Sequence, residues 1–126
     1  MSLRILVVDD AAFMRHMIKK ILTDLGHEIV GEAANGIEAC EQFDQLKPDL
    51  MTLDLIMPKM GGMEALQKIC AKHADARVVV ISAVDQRQPL MDALKCGATD
   101  YLVKPFEKER VEEAIGRVEN AAAVGG

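Results

Sequence analysis

Tryptophan is absent from this 126-residue chain, and its one tyrosine is joined by only three phenylalanines. So few rings make stacking platforms for bases or sugars a poor expectation. Cysteine is scarce too. Cys40, Cys70 and Cys96 are odd in number and widely spaced, which argues for reduced thiols in a cytosolic chain and against a disulfide frame. No apolar run approaches the roughly 18 residues that a membrane span requires. The N-terminus lacks a signal-peptide pattern, because Asp9-Asp10 interrupts the only early apolar run. An excess of positive charge is also missing. A net charge of −5 gives no electrostatic reason to seek nucleic acid or an anionic membrane surface.

What is present is an ordinary globular balance, 50% apolar and 28% charged, in a length suited to one domain with a real core. Short apolar runs at 3–8, 28–33, 49–54, 77–82 and 100–104 read as strands, with 28–33 the weakest and nearest an edge. Between them apolar residues recur at helical spacing. Phe13, Met14, Met17, Ile18, Ile21, Leu22 and Leu25 mark the first helix, with Asp10 as its expected cap and Gly26 as its stop. Asn35-Gly36 reads as a turn, and Pro58 and Gly61-Gly62 as breakers after the third strand. The run Glu107-Lys108-Glu109-Arg110 reads as a solvated helix start, and residues 121–126 as a frayed tail. Five strands alternating with five helices imply a doubly wound α/β fold, a parallel sheet with right-handed crossovers and helices on both faces.

In such a sheet the site lies off the carboxyl ends of the strands. Reading the strand ends gives Asp9-Asp10, Asp54, Ser82 and Lys104. Asp54 stands out because it closes the apolar run Met51-Thr52-Leu53-Asp54-Leu55-Ile56-Met57, where an ionised group needs a reason to be buried. Polar residues often follow strands as turn formers, but here three carboxylates, a hydroxyl and an amine converge on one crevice. Two unit charges at ~4 Å repel by roughly 4 kcal/mol at an effective dielectric of 20. A divalent cation offsets this economically, and Mg²⁺ favours one or two carboxylates with water and a phosphoryl oxygen. Lys104 adds a point charge for a phosphate and Ser82 a hydrogen-bond donor. That leaves Asp54 as the nucleophile of an aspartyl phosphate.

With these residues in place the chain resembles the receiver domain of two-component response regulators over about residues 3–120. The adjacent acidic pair, the Asp ending the third strand, the Ser ending the fourth and Lys104-Pro105 after the fifth stand at receiver spacing. Val8-Asp9-Asp10-Ala11-Ala12-Phe13-Met14-Arg15 and Asp100-Tyr101-Leu102-Val103-Lys104-Pro105-Phe106 look most like the free-standing chemotaxis members. The resemblance implies a flavodoxin-like five-stranded sheet in the order 2-1-3-4-5. The receiver would fill 1–120, with 121–126 as a tail and no output domain. Asp54 would be the phosphoacceptor, and Asp9, Asp10, Asp54 and the backbone carbonyl of Ile56 would hold Mg²⁺. Lys104, joined to Pro105 by a cis peptide, would contact the phosphoryl group, while Ser82 and Tyr101 would switch on activation. Ile56 and Val84 fall at positions that tune phosphate loss, and both are apolar, so self-dephosphorylation is expected not to be especially fast.

The function implied is a cytoplasmic phospho-switch and not a turnover enzyme. A histidine kinase would phosphorylate it, a phosphatase could reset it, and the flagellar motor switch would receive its output; nucleic acid and membrane are not expected partners. A phosphate sink or phosphorelay shuttle is the alternative within the class. From another class comes a small Mg²⁺-dependent aspartyl-phosphate phosphohydrolase. Such enzymes carry Asp-x-Asp after the first strand and an added cap, whereas here the pair is adjacent and no length remains for a cap. A flavin carrier is disfavoured, since its first loop must cradle a phosphate and Asp9-Asp10 offers two negative charges instead.

Overall fold

The computed structural model describes residues 2–57, 59–83 and 87–125; Pro58 and Val84 lie outside them. The elements alternate as β1 (Arg4–Val8), α1 (Ala12–Asp24), β2 (Glu28–Ala33), α2 (Gly36–Leu46), β3 (Leu50–Asp54), α3 (Gly62–Lys72), β4 (Val78–Ala83), α4 (Arg87–Lys95), β5 (Asp100–Lys104) and α5 (Lys108–Gly125). The strands form one sheet in the order β2-β1-β3-β4-β5, every neighbouring pair parallel. The weak strand 28–33 is an edge, as its mixed burial implies.

Two-residue alternation divides the apolar strands between two layers. Leu6, Val8, Met51, Leu53, Val78 and Val80 face one layer with Phe43 of α2, Leu66 and Ile69 of α3 and Leu90 of α4. Ile5, Val7, Leu50, Val79, Ile81 and Leu102 face the other with Ile18 and Leu22 of α1 and Val111, Ile115 and Val118 of α5. Burying β1, β3 and β4 on both faces explains why they read as unbroken apolar runs. Met57, Met60 and Met63 pack against the first layer instead of forming a free surface.

Four local details differ from the sequence reading. Asp10 does not cap α1. The cap position is Ala11, which makes no side-chain cap bond, and its own N–H donates to Asp9 Oδ1 at 2.9 Å in the turn that leads into the helix. Phe13, placed at the helical period of the core, is 75% exposed. Asn35 is the cap of α2, its Oδ1 accepting the Glu38 N–H at 2.9 Å while Glu38 Oε1 accepts the Ala34 N–H at 3.1 Å. α5 runs through Gly125, into the stretch 121–126 that was read as a frayed tail. Gly26 does end α1, with φ at +93°, a conformation that other residues adopt at a cost. Among the described residues no helix is long and apolar enough to cross a membrane.

Candidate functional site

β1, β3, β4 and β5 deliver Asp9, Asp54, Ser82 and Lys104 to the carboxyl edge of the sheet. Asp54 is the last residue of β3 and is 5% exposed. Beyond it the chain is held in two directions: the Leu55 N–H donates to the Ile81 carbonyl at 3.1 Å, and the Gly62 N–H donates to the Leu55 carbonyl at 3.0 Å. Any Cβ at Gly62 would collide with the Asp54 carbonyl and the Leu55 backbone. The residue read as a breaker therefore also admits α3 to the turn that aims Asp54.

Asp9 follows β1 and is fully buried. The Asp9 N–H donates to the Ala33 carbonyl at 3.1 Å, and Arg15 Nη1 donates to the Asp9 carbonyl at 2.6 Å. Arg15 also reaches Glu32 Oε1 at 3.1 Å, and Lys19 reaches Glu32 Oε2 at 2.8 Å. Lys19 first, and Arg15 with it, hold the Glu32 carboxyl below its usual range despite the opposing effect of burial. Arg15 entered the sequence reading only as the end of a motif, with no role assigned, and Glu32 did not enter it. Their contact joins residues 17 positions apart across α1 and β2 and leaves no local pattern.

Carboxylate oxygens of Asp9, Asp10 and Asp54 lie within 4.8 Å of one another, with Asp10 on the exposed side. Lys104 Nζ stands 3.3 Å from Asp9 Oδ2 and 3.2 Å from Asp54 Oδ2. Burial pushes the Asp54 carboxyl above its ordinary pKa and the nearby Asp9 adds to this, while the Ile56 N–H at 3.1 Å and Lys104 act against it. Burial disfavours the Lys104 ammonium, but Asp54 and Asp9 outweigh it and raise its pKa. Two buried carboxylates sharing one ammonium remain short of positive charge. Hard oxygen donors clustered this closely suit a divalent cation such as Mg²⁺.

Ser82, on β4 beside β3, is 1% exposed and its Oγ has no hydrogen-bond partner among the described residues. Thr52 Oγ1 on β3 is likewise without a partner among the described residues, but Ser82 is the one of the two at the carboxyl edge, where its hydroxyl is free to donate to a ligand. Ile56 is 58% exposed and borders Asp54 through its N–H. The Lys104–Pro105 peptide is cis. Tyr101 is not drawn into the carboxylate cluster. It sits three residues earlier on β5, is 37% exposed and lines a groove with Leu90, Met91, Leu94 and Val103.

Arg110 escaped the sequence reading, which left it in a solvated helix start. It lies over the Tyr101 ring, 5.3 Å from the centroid, and Nη2 donates to the Tyr101 carbonyl at 2.8 Å. His73 Nε2 pairs with Asp44 Oδ1 at 2.8 Å, and Cys70 packs against the core. His27 is a packing residue, buried with Nδ1 accepting the Leu3 N–H at 3.0 Å.

Comparison with known proteins agrees with this geometry. The sequence pattern of the response regulator receiver domain matches residues 5–116. The chemotaxis protein CheY of Thermotoga maritima is 48% identical over 118 residues, 94% of this chain and 98% of that protein. CheY of Bacillus subtilis is 49% identical over 120 residues, 95% of this chain and 100% of that protein. A solved complex of CheX with CheY, BeF3 and Mg²⁺ from Borrelia burgdorferi superposes with a TM-score of 0.88 at 35% identity, covering 91% of this chain and 87% of that one. With the sheet order, the strand-end carboxylates and these relatives all in accord, the chain belongs to the response regulator receiver domain family.

Proposed function

We propose that this chain is a chemotaxis-type phospho-switch that accepts a phosphoryl group on Asp54 from a phosphohistidine of a histidine kinase. The observation that carries the reading is the charge deficit at the sheet edge: Asp9 and Asp54 buried, Asp10 beside them, and, among the described residues, Lys104 the one ammonium within 3.3 Å of the buried pair. In the transfer an Asp54 carboxylate oxygen forms a new bond to phosphorus as the phosphorus–nitrogen bond breaks, and the electron pair returns to the imidazole. Lys104 would pair with the equatorial oxygens of the transferring group, and the Ser82 hydroxyl would donate to one of them. The Ile56 N–H holds the attacking carboxylate in one orientation. Asp9, Asp10, Asp54 and the Ile56 carbonyl would hold Mg²⁺, which when bound supplies electrostatic stabilisation of the developing charge.

Once made, the acyl phosphate draws on Ser82 and Lys104. The change reaches Tyr101 along β5 and alters the α4–β5 face. The output is a binding event in the cytoplasm, with the flagellar motor switch as target. The match to CheY proteins over 94% and 95% of this chain supports that target, and the CheX complex of the Borrelia relative supports a phosphatase as a further partner. The protein promotes its own phosphorylation and dephosphorylation without turning over an external substrate.

The test is incubation with a small acyl phosphate and Mg²⁺, reading the phosphorylated mass. The native chain takes up one phosphoryl group, and Asp54→Asn takes up at least a hundredfold less. Equal labelling of the two would overturn the assignment. Catalytic turnover of a phosphate ester would instead favour a phosphohydrolase.

A further inference from the structure

Tyr101 poses a physical question. Tyr101 stands on the wall of a groove whose other lining residues are the apolar Leu90, Met91, Leu94 and Val103 with Arg87 at its side, yet it remains 37% exposed. Hydrophobic burial alone would draw a phenol into that groove, so something holds it out.

Contacts around Tyr101 identify the holder. Its N–H is taken by Asp100 Oδ1 at 2.8 Å, and its carbonyl accepts Arg110 Nη2 at 2.8 Å, so the peptide units on both sides of Cα are fixed. Because β5 is an edge strand, no further strand blocks Arg110 of α5 from reaching the ring, and its guanidinium lies 5.3 Å from the centroid. Asp100, buried at the start of β5, steadies that guanidinium at 3.8 Å and is itself bound by Arg117 Nη1 at 2.6 Å. Arg110 Nη1 is buried without a hydrogen-bond partner among the described residues. The guanidinium therefore occupies this position with one donor unfilled, and what it gains there is the Tyr101 carbonyl, the Tyr101 ring and the Asp100 charge. A lysine could supply the charge but not the planar fork that serves the carbonyl and the ring together.

We propose that Arg110 is a positioning residue that holds the Tyr101 ring outside the α4–β5 groove and thereby restrains phosphorylation of the unactivated protein. The inference deepens the phospho-switch reading and rests on it for its second half, the link to Asp54. That half follows from linkage: if phosphorylation favours the ring inside the groove, a contact that favours it outside makes phosphorylation less favourable.

The full-length chain supplies its own probe. Tyr101 is its sole tyrosine and tryptophan is absent, so tyrosine fluorescence reports this ring alone. In the unphosphorylated protein Arg110→Ala is expected to lower the acrylamide quenching constant of Tyr101 at least twofold, as the ring enters the groove. Arg110→Lys falls between Arg110→Ala and the native chain. Arg117→Ala, which removes the shorter Asp100 ion pair without touching Tyr101, leaves quenching at the native value. Quenching unchanged in Arg110→Ala, or lowered equally in Arg117→Ala, overturns the positioning role. Initial phosphorylation by a small acyl phosphate with Mg²⁺ is expected to be at least threefold faster in Arg110→Ala than in Arg117→Ala. Equal rates overturn the link to Asp54. Loss of labelling in the native chain would sink the phospho-switch reading itself, while the quenching result would still decide what Arg110 does to the ring.

Discussion

Asp54 and Asp100 are buried almost equally, 5% and 6% exposed, and each stands at a strand terminus, yet their surroundings are built on opposite charge rules. Asp100, at the amino end of β5, has one carboxylate facing two guanidiniums, at 2.6 and 3.8 Å, and accepts the Tyr101 N–H. Asp54, at the carboxyl end of β3, shares the Lys104 ammonium with the buried Asp9 and has Asp10 close by. One site is supplied with positive charge beyond its need and the other is left short. A fold has no use for the second arrangement, since like charges side by side in a dry edge oppose folding. The deficit becomes intelligible when the missing positive charge is a ligand. The same logic covers Ser82, whose buried hydroxyl lies on the neighbouring strand without a partner among the described residues, whereas the Tyr101 N–H at the other site is satisfied.

The comparison predicts opposite signs for one chemical change. Asp100→Asn keeps the volume but removes a charge that two arginines hold, and should lower stability by about 2 kcal/mol, the scale of a charge-assisted hydrogen bond. Arg117 is more than half exposed, which keeps the loss below that of a sealed ion pair. Asp54→Asn relieves the repulsion from Asp9 and should raise stability on the order of 1 kcal/mol in metal-free buffer. Urea unfolding in the presence of a chelator measures both. Two losses of similar size would mean that Asp54 is a structural aspartate like Asp100.

How far the contrast could be read from sequence differs between the two sites. Asp54 was legible because a carboxylate closing an apolar run violates the pattern around it, and Lys104 because Pro105 marks the strand's end. Val78-Val79-Val80-Ile81 likewise declared a strand buried on both faces. Asp100 and its partners were not legible. The pairing depends on α5 returning along the sheet edge so that residues 10 and 17 positions later meet it, and nothing in the local spacing of Arg110 or Arg117 distinguishes them from solvated helix residues. Gly62 was legible only as a breaker, since its second role depends on how closely α3 approaches the Asp54 backbone. Phe13 misled in the other direction. It was grouped with the apolar residues of α1, but the face that meets the sheet carries Met14, Ile18, Ile21 and Leu22, and Phe13, one residue round the helix from Met14, lies off that face.

A divalent cation sharpens the comparison at smaller scale. Mg²⁺ at ten times its dissociation constant should stabilise the native chain by about 1.4 kcal/mol, because it binds the folded carboxylate cluster and not the unfolded chain. Asp100→Asn should gain the same amount, and Asp54→Asn clearly less, as one of the three clustered carboxylates is gone. Unfolding with MgCl2 against chelator measures the difference. An undiminished gain in Asp54→Asn would remove that carboxylate from the cation site.

The smallest effect is the one with pH. Asp54 has its folded pKa above the ordinary aspartate value of 3.8, chiefly through burial, so the folded chain holds that proton after the unfolded chain has released it. Between those two values the folded state binds more protons, and stability from this group falls as pH rises; above the raised value the contribution is flat. Glu32 and Asp44, whose folded pKa values are lowered by Lys19 and Lys72 respectively, contribute in the opposite sense, since their stabilisation is lost as pH falls. The native profile is therefore a sum of opposing slopes, and the Asp54 contribution emerges on subtraction. Native minus Asp54→Asn stability, measured in chelator, should decline as pH rises from the ordinary carboxylate range and then level off. A difference that is flat across that range, or rises with pH, would mean that Lys104 already neutralises Asp54, and the charge deficit separating this site from Asp100 would vanish.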